Sequence, residues 1–353
     1  MIDLLIETLE FKDDSKKQVS PVVKTYPIVS TKFPDGTSQV WKLPQEVIDD
    51  IPDAYSITID WRFKEERELF DLMSLWALLT EELKRAFRNK SYVLNVETNK
   101  PAIFIDDNAP MPIYLNLFYL PFARQDKLID NANTFNLHVF CVMLNSLHSL
   151  LRVPLLGAVY RPISITEVRI FDPHSEQSLR ALHADFDINK QVKVYSPSSS
   201  IAHGDQTFSE FANQAEKWDA IIFPDASASL KYPPTLPYFT VIKERNCETG
   251  EIETCELSFR NENAAKQFST FKNVLVVDDI CDGGATFIKC AEVLKSHNPN
   301  IEKLGLRVSH GIFSKGFEPL KAAGFTHIFY TDSLDPSFDK EIPEGLNVFK
   351  FKL

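Results

Sequence analysis

Short apolar runs alternate with amphipathic stretches along most of the chain. In residues 65–88 the apolar side chains fall at positions 69, 72, 73, 76, 79, 83 and 87, the spacing of a helix that buries one face. Short runs of β-branched and other apolar residues are typical of strands. Strands are predicted at 92–96, 103–105, 113–119, 167–171, 192–195, 220–223, 239–242, 274–277, 304–308 and 325–330. Helices are predicted at 65–88, 135–151, 208–217, 287–296 and 317–322.

Strand and helix follow each other in regular succession, which favours parallel sheets covered by helices. The 353 residues are enough for two domains of ordinary size. The alternation occurs in two halves, with the boundary expected between residues 174 and 190. We therefore expect a first α/β domain at 1–180 and a second α/β domain at 181–353.

Composition narrows the class of protein. With 44% hydrophobic and 25% charged residues, the chain is expected to be a soluble globular protein. The net charge of −11 argues against a nucleic-acid partner, because a polyanion would be repelled. We expect no membrane span, since no stretch approaches ~20 apolar residues, and the acidic amino terminus lacks a secretory signal. A cytoplasmic protein is therefore expected, and its five scattered cysteines suggest neither disulfides nor a zinc site.

The most informative segment is 274–287, Val-Leu-Val-Val-Asp-Asp-Ile-Cys-Asp-Gly-Gly-Ala-Thr-Phe. A buried strand leads into two adjacent carboxylates, a glycine-containing loop and an amphipathic helix. The carboxylates can accept hydrogen bonds from the 2- and 3-hydroxyls of a ribose, while loop amides and the helix amino terminus favour a phosphate. An ordinary strand-turn-helix without ligand is the alternative. The predicted ribose-phosphate residues are Asp278, Asp279, Asp282, Gly283, Gly284, Ala285 and Thr286.

This segment resembles the phosphoribosyl-pyrophosphate (PRPP) binding motif shared by type I phosphoribosyltransferases and PRPP synthetases. Six further segments resemble the ribose-phosphate pyrophosphokinase (PRPP synthetase) family in the correct order. They are 33–36 (Phe-Pro-Asp-Gly), 119–127 (Tyr-Leu-Pro-Phe-Ala-Arg-Gln-Asp-Lys), 172–177 (Asp-Pro-His-Ser-Glu-Gln), 224–225 (Pro-Asp), 243–245 (Lys-Glu-Arg) and 310–314 (His-Gly-Ile-Phe-Ser). The resemblance implies two phosphoribosyltransferase-like domains, each a mainly parallel sheet flanked by helices.

The resemblance also implies an activity, the transfer of the β,γ-diphosphate of ATP to the anomeric hydroxyl of ribose 5-phosphate, which gives PRPP and AMP. Such a transfer depends on positioning and on cationic stabilisation of developing negative charge. The implied ATP-binding residues are Phe33, Asp35, Arg124, Gln125 and Asp126; the catalytic residues are Lys243, Arg245 and His174; the pyrophosphate loop is Asp225, Ala226 and Ser227. Mg²⁺ is the implied cofactor, with His174 and Asp225 as ligands. A homo-oligomer is expected, because the family forms its ATP site across a subunit interface.

Several positions depart from the family pattern. Thr37 stands where the family has Glu, and Lys231 where it has Arg. The pyrophosphate loop reads Asp-Ala-Ser-Ala at 225–228 instead of Asp-x-Gly-Gly, and the ribose-phosphate loop reads Asp-Gly-Gly-Ala-Thr at 282–286 instead of Asp-Thr-x-Gly-Thr. The second change makes the loop roomier. We therefore hypothesise a larger ribose-5-phosphoryl acceptor, ADP-ribose being one example.

Two other functions remain open at this stage. A type I phosphoribosyltransferase that consumes PRPP would use 278–286 equally well, although it would not need the matches at 33–36, 124–127 and 174. A non-catalytic homologue that assembles with a true synthetase is kept open by the altered 226–228 segment. Taken singly, Phe33 is equally a core aromatic, His174 a structural histidine, and Lys243 with Arg245 a solvated strand end. The order of the segments is what favours a synthetase.

Overall fold

The structure, a computed structural model, divides the chain into two compact units, Met1–Val194 and Tyr195–Leu353. It describes residues 1–13, 18–93, 111–125, 136–149, 165–185, 191–195, 218–234, 236–245, 252–335, 337 and 340–353. Each unit has its own sheet and its own apolar core. None of the helices in these ranges is long and apolar enough to cross a bilayer.

The first unit is built on a six-stranded sheet. The six strands of this sheet are β1 (Ile2–Asp13), β2 (Gln18–Ile28), β5 (Ala54–Trp61), β6 (Ile113–Leu117), β7 (Glu167–Phe171) and β8 (Gln191–Tyr195), and the unit has two further short strands, β3 (Thr31–Lys32) and β4 (Ser38–Gln39). Its helices are α1 (Gln45–Asp50), α2 (Glu68–Val93), α3 (Asn136–Ser149) and α4 (Glu176–Asp185). The sheet order is β2-β1-β5-β6-β7-β8, and β3 with β4 forms a separate hairpin. β1 is antiparallel to β2 and β5, whereas β5, β6 and β7 are parallel neighbours.

The register of this sheet separates an apolar face from a polar one. Because successive side chains point to opposite faces, residues paired across strands form rows. The apolar row, whose members are all fully buried, consists of Leu4, Ile59, Leu115 and Val168. The adjacent row, which we call the polar row, consists of Asp3, Asp60, Asn116 and Arg169. Adjacent residues on each strand therefore belong to opposite faces, one apolar and one polar.

Helix α2 supplies the apolar side chains that cover the apolar face. The residues spaced for one buried face include Leu72, Trp76, Leu79 and Leu83, each at most 1% exposed. The helix begins at Glu68, whose Oε2 accepts hydrogen bonds from the Trp61 indole at 3.1 Å and the Lys64 amide at 2.9 Å. Glu68 is therefore a buried carboxylate that fixes the start of α2 to the end of β5.

The second unit is built on a seven-stranded sheet. Its strands are β9 (Ala220–Phe223), β10 (Tyr238–Arg245), β11 (Ile252–Ser258), β12 (Asn273–Cys281), β13 (Lys303–Gly311), β14 (His327–Thr331) and β15 (Asn347–Phe351). Its helices are α5 (Ala226–Lys231), α6 (Glu262–Phe268), α7 (Ala285–His297) and α8 (Glu318–Ala322). The order is β11-β10-β9-β12-β13-β14-β15. β11 is the antiparallel edge, and the other neighbours are parallel.

The predicted fold class is confirmed, since both units carry mainly parallel sheets flanked by helices. The strand predicted at 192–195 exists as β8, but it extends the sheet of the first unit, whereas we placed it in the second half. The strand predicted at 92–96 is wrong where it begins, because Tyr92 and Val93 continue α2. The strand predicted at 103–105 and the helix predicted at 208–217 lie outside the described residues.

Candidate functional site

Carboxylates gather at one edge of the second sheet. β9 and β12 are parallel neighbours, with Ile222 paired to Val276. Asp225 follows the end of β9, while Asp278 and Asp279 lie near the end of β12. The carboxyl ends of parallel strands share one edge of a sheet, which is where ligands bind in such folds. The structure therefore brings the predicted ribose-phosphate acids and the predicted pyrophosphate residue to one place.

The two adjacent acids differ in their surroundings. The Asp279 amide donates a 3.0 Å hydrogen bond to Asp278 Oδ1, and the Asp279 side chain is buried. Burial raises the pKa of Asp278 well above its usual range, and the negative charges of Asp279 and Asp225 raise it further. A ligand that donates hydroxyl groups or brings positive charge would relieve this repulsion.

A lysine from the neighbouring helix reaches these acids. Lys231 Nζ lies 3.5 Å from Asp279 Oδ2, with the two side chains 24% and 5% exposed. The same ammonium lies 5.2 Å from the centroid of the Tyr232 ring. The ion pair links the segment after β9 to the end of β12.

The predicted pyrophosphate loop is a short helix, α5, rather than an open loop. Asp225 is its N-cap: Oδ1 accepts from the Ala228 amide at 3.0 Å and from the Ser227 hydroxyl at 2.7 Å. Aspartate satisfies the unpaired amides of a first helical turn well, and Ala226 favours the helix more than a glycine would. The substitutions for glycine thus change the local structure as well as adding side chains.

The predicted ribose-phosphate loop contains a glycine in the left-handed backbone region. Gly284 has φ of 81° and is the N-cap of α7, and a Cβ there would lie 3.1 Å from Leu320 Cδ2. The left-handed φ strains any other residue, and the tight contact adds to that strain. Gly284 has no side chain to cap α7, and among the described residues Ala285 and Thr286 present the amides of its first turn. This end of α7 has the polarity that suits a phosphate.

The segment after β13 lies against this loop. The Ile312 and Phe313 amides both donate to the Cys281 carbonyl, at 2.9 and 3.1 Å. A Cβ on Gly283 would lie 3.5 Å from Lys315 Cε and 3.7 Å from Ser314 Oγ. The 310–314 segment therefore borders the loop, and the exposed Lys315 adds a cation that we did not single out from the sequence. The signal was available, since Lys315 directly follows the recognised segment.

Lys243 and Arg245 belong to strand β10. They pair in register with Cys255 and Ile252 of β11, and a register shift falls between Glu244 and Arg245. We predicted that the strand would end at Ile242. The strand is longer because β11 supplies antiparallel backbone partners as far as Arg245. Since β10 pairs with β9, its end lies on the same side of the sheet as Asp225.

Residues predicted to bind ATP lie at the corresponding edge of the first sheet. Arg124 and Gln125 follow β6, and His174 follows β7, its parallel neighbour. Gln125 Oε1 accepts a hydrogen bond from Asn136 at the start of α3. Asp172, in the left-handed region with φ of 44°, turns the chain so that His174 is exposed. Asp126 lies outside the described residues.

The hairpin β3–β4 carries Phe33 and Asp35. Asp35 Oδ1 accepts from the Thr37 amide at 3.0 Å and hydroxyl at 2.7 Å, which lowers the pKa of Asp35. Asp71, in the first turn of α2, accepts from hydroxyls on both sides of the hairpin, Ser30 at 2.9 Å and Ser38 at 2.6 Å. Because α2 follows β5, these bonds hold the hairpin near the carboxyl end of that strand.

An exposed tryptophan extends the hairpin surface. The Trp41 and Phe33 ring centroids lie 6.1 Å apart at an interplanar angle of 67°. Trp41 is 60% exposed, and its indole donates to Thr31 Oγ1 at 3.1 Å. We did not single out Trp41 from the sequence. An aromatic residue among polar neighbours, close to the recognised segment, was the signal.

The residues predicted to bind Mg²⁺ offer few donors. Within the described ranges, no three His, Cys, Asp or Glu side chains are arranged to hold a metal ion. Both hydrogen bonds to the Asp225 carboxylate fall on Oδ1, so Oδ2 can serve a cation. Mg²⁺ usually takes one or two protein carboxylates together with water and substrate phosphates. A sparse set of protein donors therefore fits this ion.

Comparisons with known proteins find ribose-phosphate pyrophosphokinases among the relatives of this chain. The chain is 24% identical over 272 residues to a ribose-phosphate pyrophosphokinase of Mycoplasmopsis pulmonis, covering 71% of this chain and 72% of that protein. It is 31% identical over 121 residues to the mitochondrial ribose-phosphate pyrophosphokinase 3 of Spinacia oleracea, covering 32% of this chain and 28% of that protein. No protein-family model matches.

The fold comparison points the same way. A crystal structure of phosphoribosylpyrophosphate synthetase from Mycobacterium smegmatis superposes with a TM-score of 0.53 at 15% identity, covering 91% of this chain and 85% of that one. At this identity the match supports the fold. Together with the sequence relatives, it supports the resemblance of the chain, at low identity, to the ribose-phosphate pyrophosphokinase family.

Proposed function

We propose that the protein transfers the β,γ-diphosphate of ATP to the anomeric hydroxyl of ribose 5-phosphate or of a larger ribose-5-phosphoryl compound. The observation that carries this proposal is the end of β12, where Asp278 and Asp279 precede the Gly283–Gly284 loop and the uncapped start of α7. Carboxylates that can accept hydrogen bonds from the ribose hydroxyls come first along the chain, and amides that can donate to its 5-phosphate follow.

The acceptor is bound by the second unit in this proposal. Asp278 and Asp279 accept hydrogen bonds from the 2- and 3-hydroxyls, while the amides of Ala285 and Thr286 donate to the 5-phosphate. These contacts fix the sugar, so that its anomeric oxygen is held for attack on the β-phosphorus of ATP. Holding two reactants in one geometry is the largest contribution a protein makes to a transfer of this kind.

The nucleotide is bound by Phe33, Asp35, Arg124, Gln125 and Asp126 in this proposal. Lys243 and Arg245 place positive charge beside the transferred group and stabilise the charge that develops on it and on the leaving AMP. Mg²⁺ would be held by His174 and Asp225 together with phosphate oxygens, and would neutralise charge on the diphosphate. Because charge stabilisation occurs mainly in the transition state, these cations act on kcat more than on acceptor binding.

A larger acceptor remains part of the proposal. Gly283 lacks a Cβ where the family pattern has a side chain, and the space beside it is bordered by Lys315 and Ser314. A second phosphate on the 5′ side would meet the Lys315 ammonium there. ADP-ribose has such a phosphate and serves as the test compound for this class. We further propose a homo-oligomer, in keeping with the expectation from the sequence.

Release of AMP from MgATP, measured with and without sugar phosphate, tests the proposed function. We expect AMP release that depends on ribose 5-phosphate or ADP-ribose, and competition between the two identifies the preferred acceptor. Release of pyrophosphate from PRPP in the presence of a nucleobase, without AMP formation from ATP, would instead indicate a phosphoribosyltransferase. Neither activity, over a range of Mg²⁺ concentrations, would indicate a non-catalytic homologue, in which the helical 226–228 segment replaces a diphosphate-binding loop.

A further inference from the structure

The ion pair between α5 and β12 joins two segments that the proposed reaction uses separately. Lys231 is the last residue of α5, and its Nζ lies 3.5 Å from Asp279 Oδ2. This helix forms because Asp225 caps it through the Ala228 amide and the Ser227 hydroxyl. A glycine loop would not place residue 231 so definitely, since glycine populates many backbone conformations. The helix therefore delivers a fixed cation to the acid pair.

The acid pair needs a cation if both carboxylates are to accept hydrogen bonds. An ionised carboxylate only accepts hydrogen bonds, whereas a protonated one also donates. Two adjacent buried acids tend to share one proton, because the second negative charge is opposed by the first. An ammonium beside one of them offsets the repulsion between the two negative charges. At 3.5 Å the Lys231 ammonium acts through its charge and leaves room for a sugar hydroxyl to approach the Asp279 oxygens.

We infer that Lys231 is a positioning residue for the acceptor: its ammonium pairs with the buried Asp279 carboxylate and orients it, so that this carboxylate accepts a hydrogen bond from a ribose hydroxyl. The inference rests on the proposed function and adds a role for the segment after β9, which serves acceptor recognition in addition to the diphosphate. Lysine suits this role because its charge is compact and its stem is apolar. The stem of Lys231 is mostly covered, since the side chain is 24% exposed.

Steady-state kinetics of Lys231→Met and Lys231→Arg test the inference. We expect Lys231→Met to raise the KM for ribose 5-phosphate by about tenfold or more, because an uncompensated buried carboxylate is left behind. The KM for ATP should stay within about twofold, since Lys231 is not placed against the nucleotide. Lys231→Arg keeps the charge and should restore most of the acceptor affinity. A purely structural lysine would give neither this KM pattern nor the rescue.

Lys272→Met is the matched control. Lys272 forms an exposed 2.6 Å ion pair with Glu302 at the amino ends of β12 and β13, the opposite edge of the same sheet. This variant should leave the KM for both substrates unchanged. If Lys231→Met fails to fold, as shown by its thermal unfolding curve, Lys231→Gln replaces it in the same comparison.

A double-mutant cycle with Asp279→Asn separates action through Asp279 from an independent effect. If Lys231 acts through Asp279, adding Lys231→Met to Asp279→Asn should cause little further loss of ribose 5-phosphate binding, measured by calorimetry. Losses that add fully, or an unchanged KM in Lys231→Met, would overturn the inference. An active wild-type enzyme with such a result would leave the proposed function intact. Failure of the unaltered protein to bind either ribose 5-phosphate or ADP-ribose would overturn both.

Discussion

Asn116 on β6 lies directly opposite Asp60 on β5, and its amide donates a 2.7 Å hydrogen bond to Asp60 Oδ1. Burial raises the pKa of Asp60 to about 6, and the Asn116 hydrogen bond and the Arg62 charge lower it only in part. Within the polar row, Asp60 is thus a carboxylate whose ionisation the fold disfavours.

The raised pKa of Asp60 predicts how the stability of the folded state depends on pH. The folded state holds the Asp60 proton more tightly than the unfolded chain, so the contribution to stability is present at low pH and is lost as pH rises from about 4 to about 6. Asp60→Asn keeps the hydrogen bond and removes the charge. We expect its free energy of unfolding at pH 7.5 to rise by about 1–3 kcal/mol, with a flatter dependence between pH 4 and 6. Urea unfolding at several pH values measures both, and Asp49→Asn, an exposed acid, should change neither.

Gly284→Ala is expected to damage both stability and acceptor binding. The change places a Cβ in the left-handed region and within 3.1 Å of Leu320 Cδ2. We expect a loss of about 2–4 kcal/mol in the free energy of unfolding. Gly345→Ala is the control, since its φ of 78° is similar but no atom lies within 4 Å of the added Cβ. Equal losses in the two variants would mean that Leu320 does not constrain the loop.

Trp41 offers a direct test of nucleotide binding at the hairpin. Of the four tryptophans, Trp61, Trp76 and Trp218 are at most 4% exposed, whereas Trp41 is 60% exposed. If Phe33 and Asp35 bind the adenine, MgATP should quench the exposed fluorescence in a saturable titration. Trp41→Phe should abolish that signal. A quenching signal that persists without Trp41 would place the nucleotide elsewhere.

Lys243→Ala should lower kcat by about a hundredfold or more, with little change in acceptor binding, because the proposed contact forms mainly in the transition state. Lys266→Ala, an exposed lysine on α6, should be silent in the same assay. Near-normal turnover in the Lys243 variant would show that the catalytic segment has been wrongly assigned.

Lys315→Met tests the acceptor class. Since Lys315 borders the space beside Gly283, its loss should raise the KM for ADP-ribose more than the KM for ribose 5-phosphate, by about fivefold or more. Lys289→Met on α7, whose ammonium pairs with Glu292 at 2.8 Å, is the control. An equal effect on both acceptors would leave Lys315 as a general contact of the 5-phosphate.

Much of the parallel architecture could be predicted from the sequence. β7 and β9 were predicted to the residue. β9 is a short apolar run buried on both faces, and β7 begins with charged and apolar residues in alternation. The loop at 282–286 and the helix that follows it were also recognisable, since paired glycines before an amphipathic stretch are typical of a turn that leads into a helix.

Other elements depend on contacts that a local pattern does not reveal. The long hairpin of β1 and β2 pairs antiparallel at the edge of a parallel sheet, and its mixed polar sequence gave no strand prediction. β10 extends to Arg245 only because β11 pairs with it. The helix α5 was missed because the segment was compared with a glycine loop, although Asp225 followed by alanine and serine is a capping pattern in its own right.

The Asp225 carboxylate caps α5 and is also a proposed ligand of Mg²⁺, and these two roles compete. Asp225 Oδ1 already holds the Ser227 hydroxyl and the Ala228 amide. A cation or solute that displaced those two donors would fray the first turn, and the cost of fraying would be subtracted from its affinity. A ligand confined to the second oxygen would incur no such cost. Ligands that leave the six-residue helix α5 folded are therefore favoured over ligands that unfold its first turn.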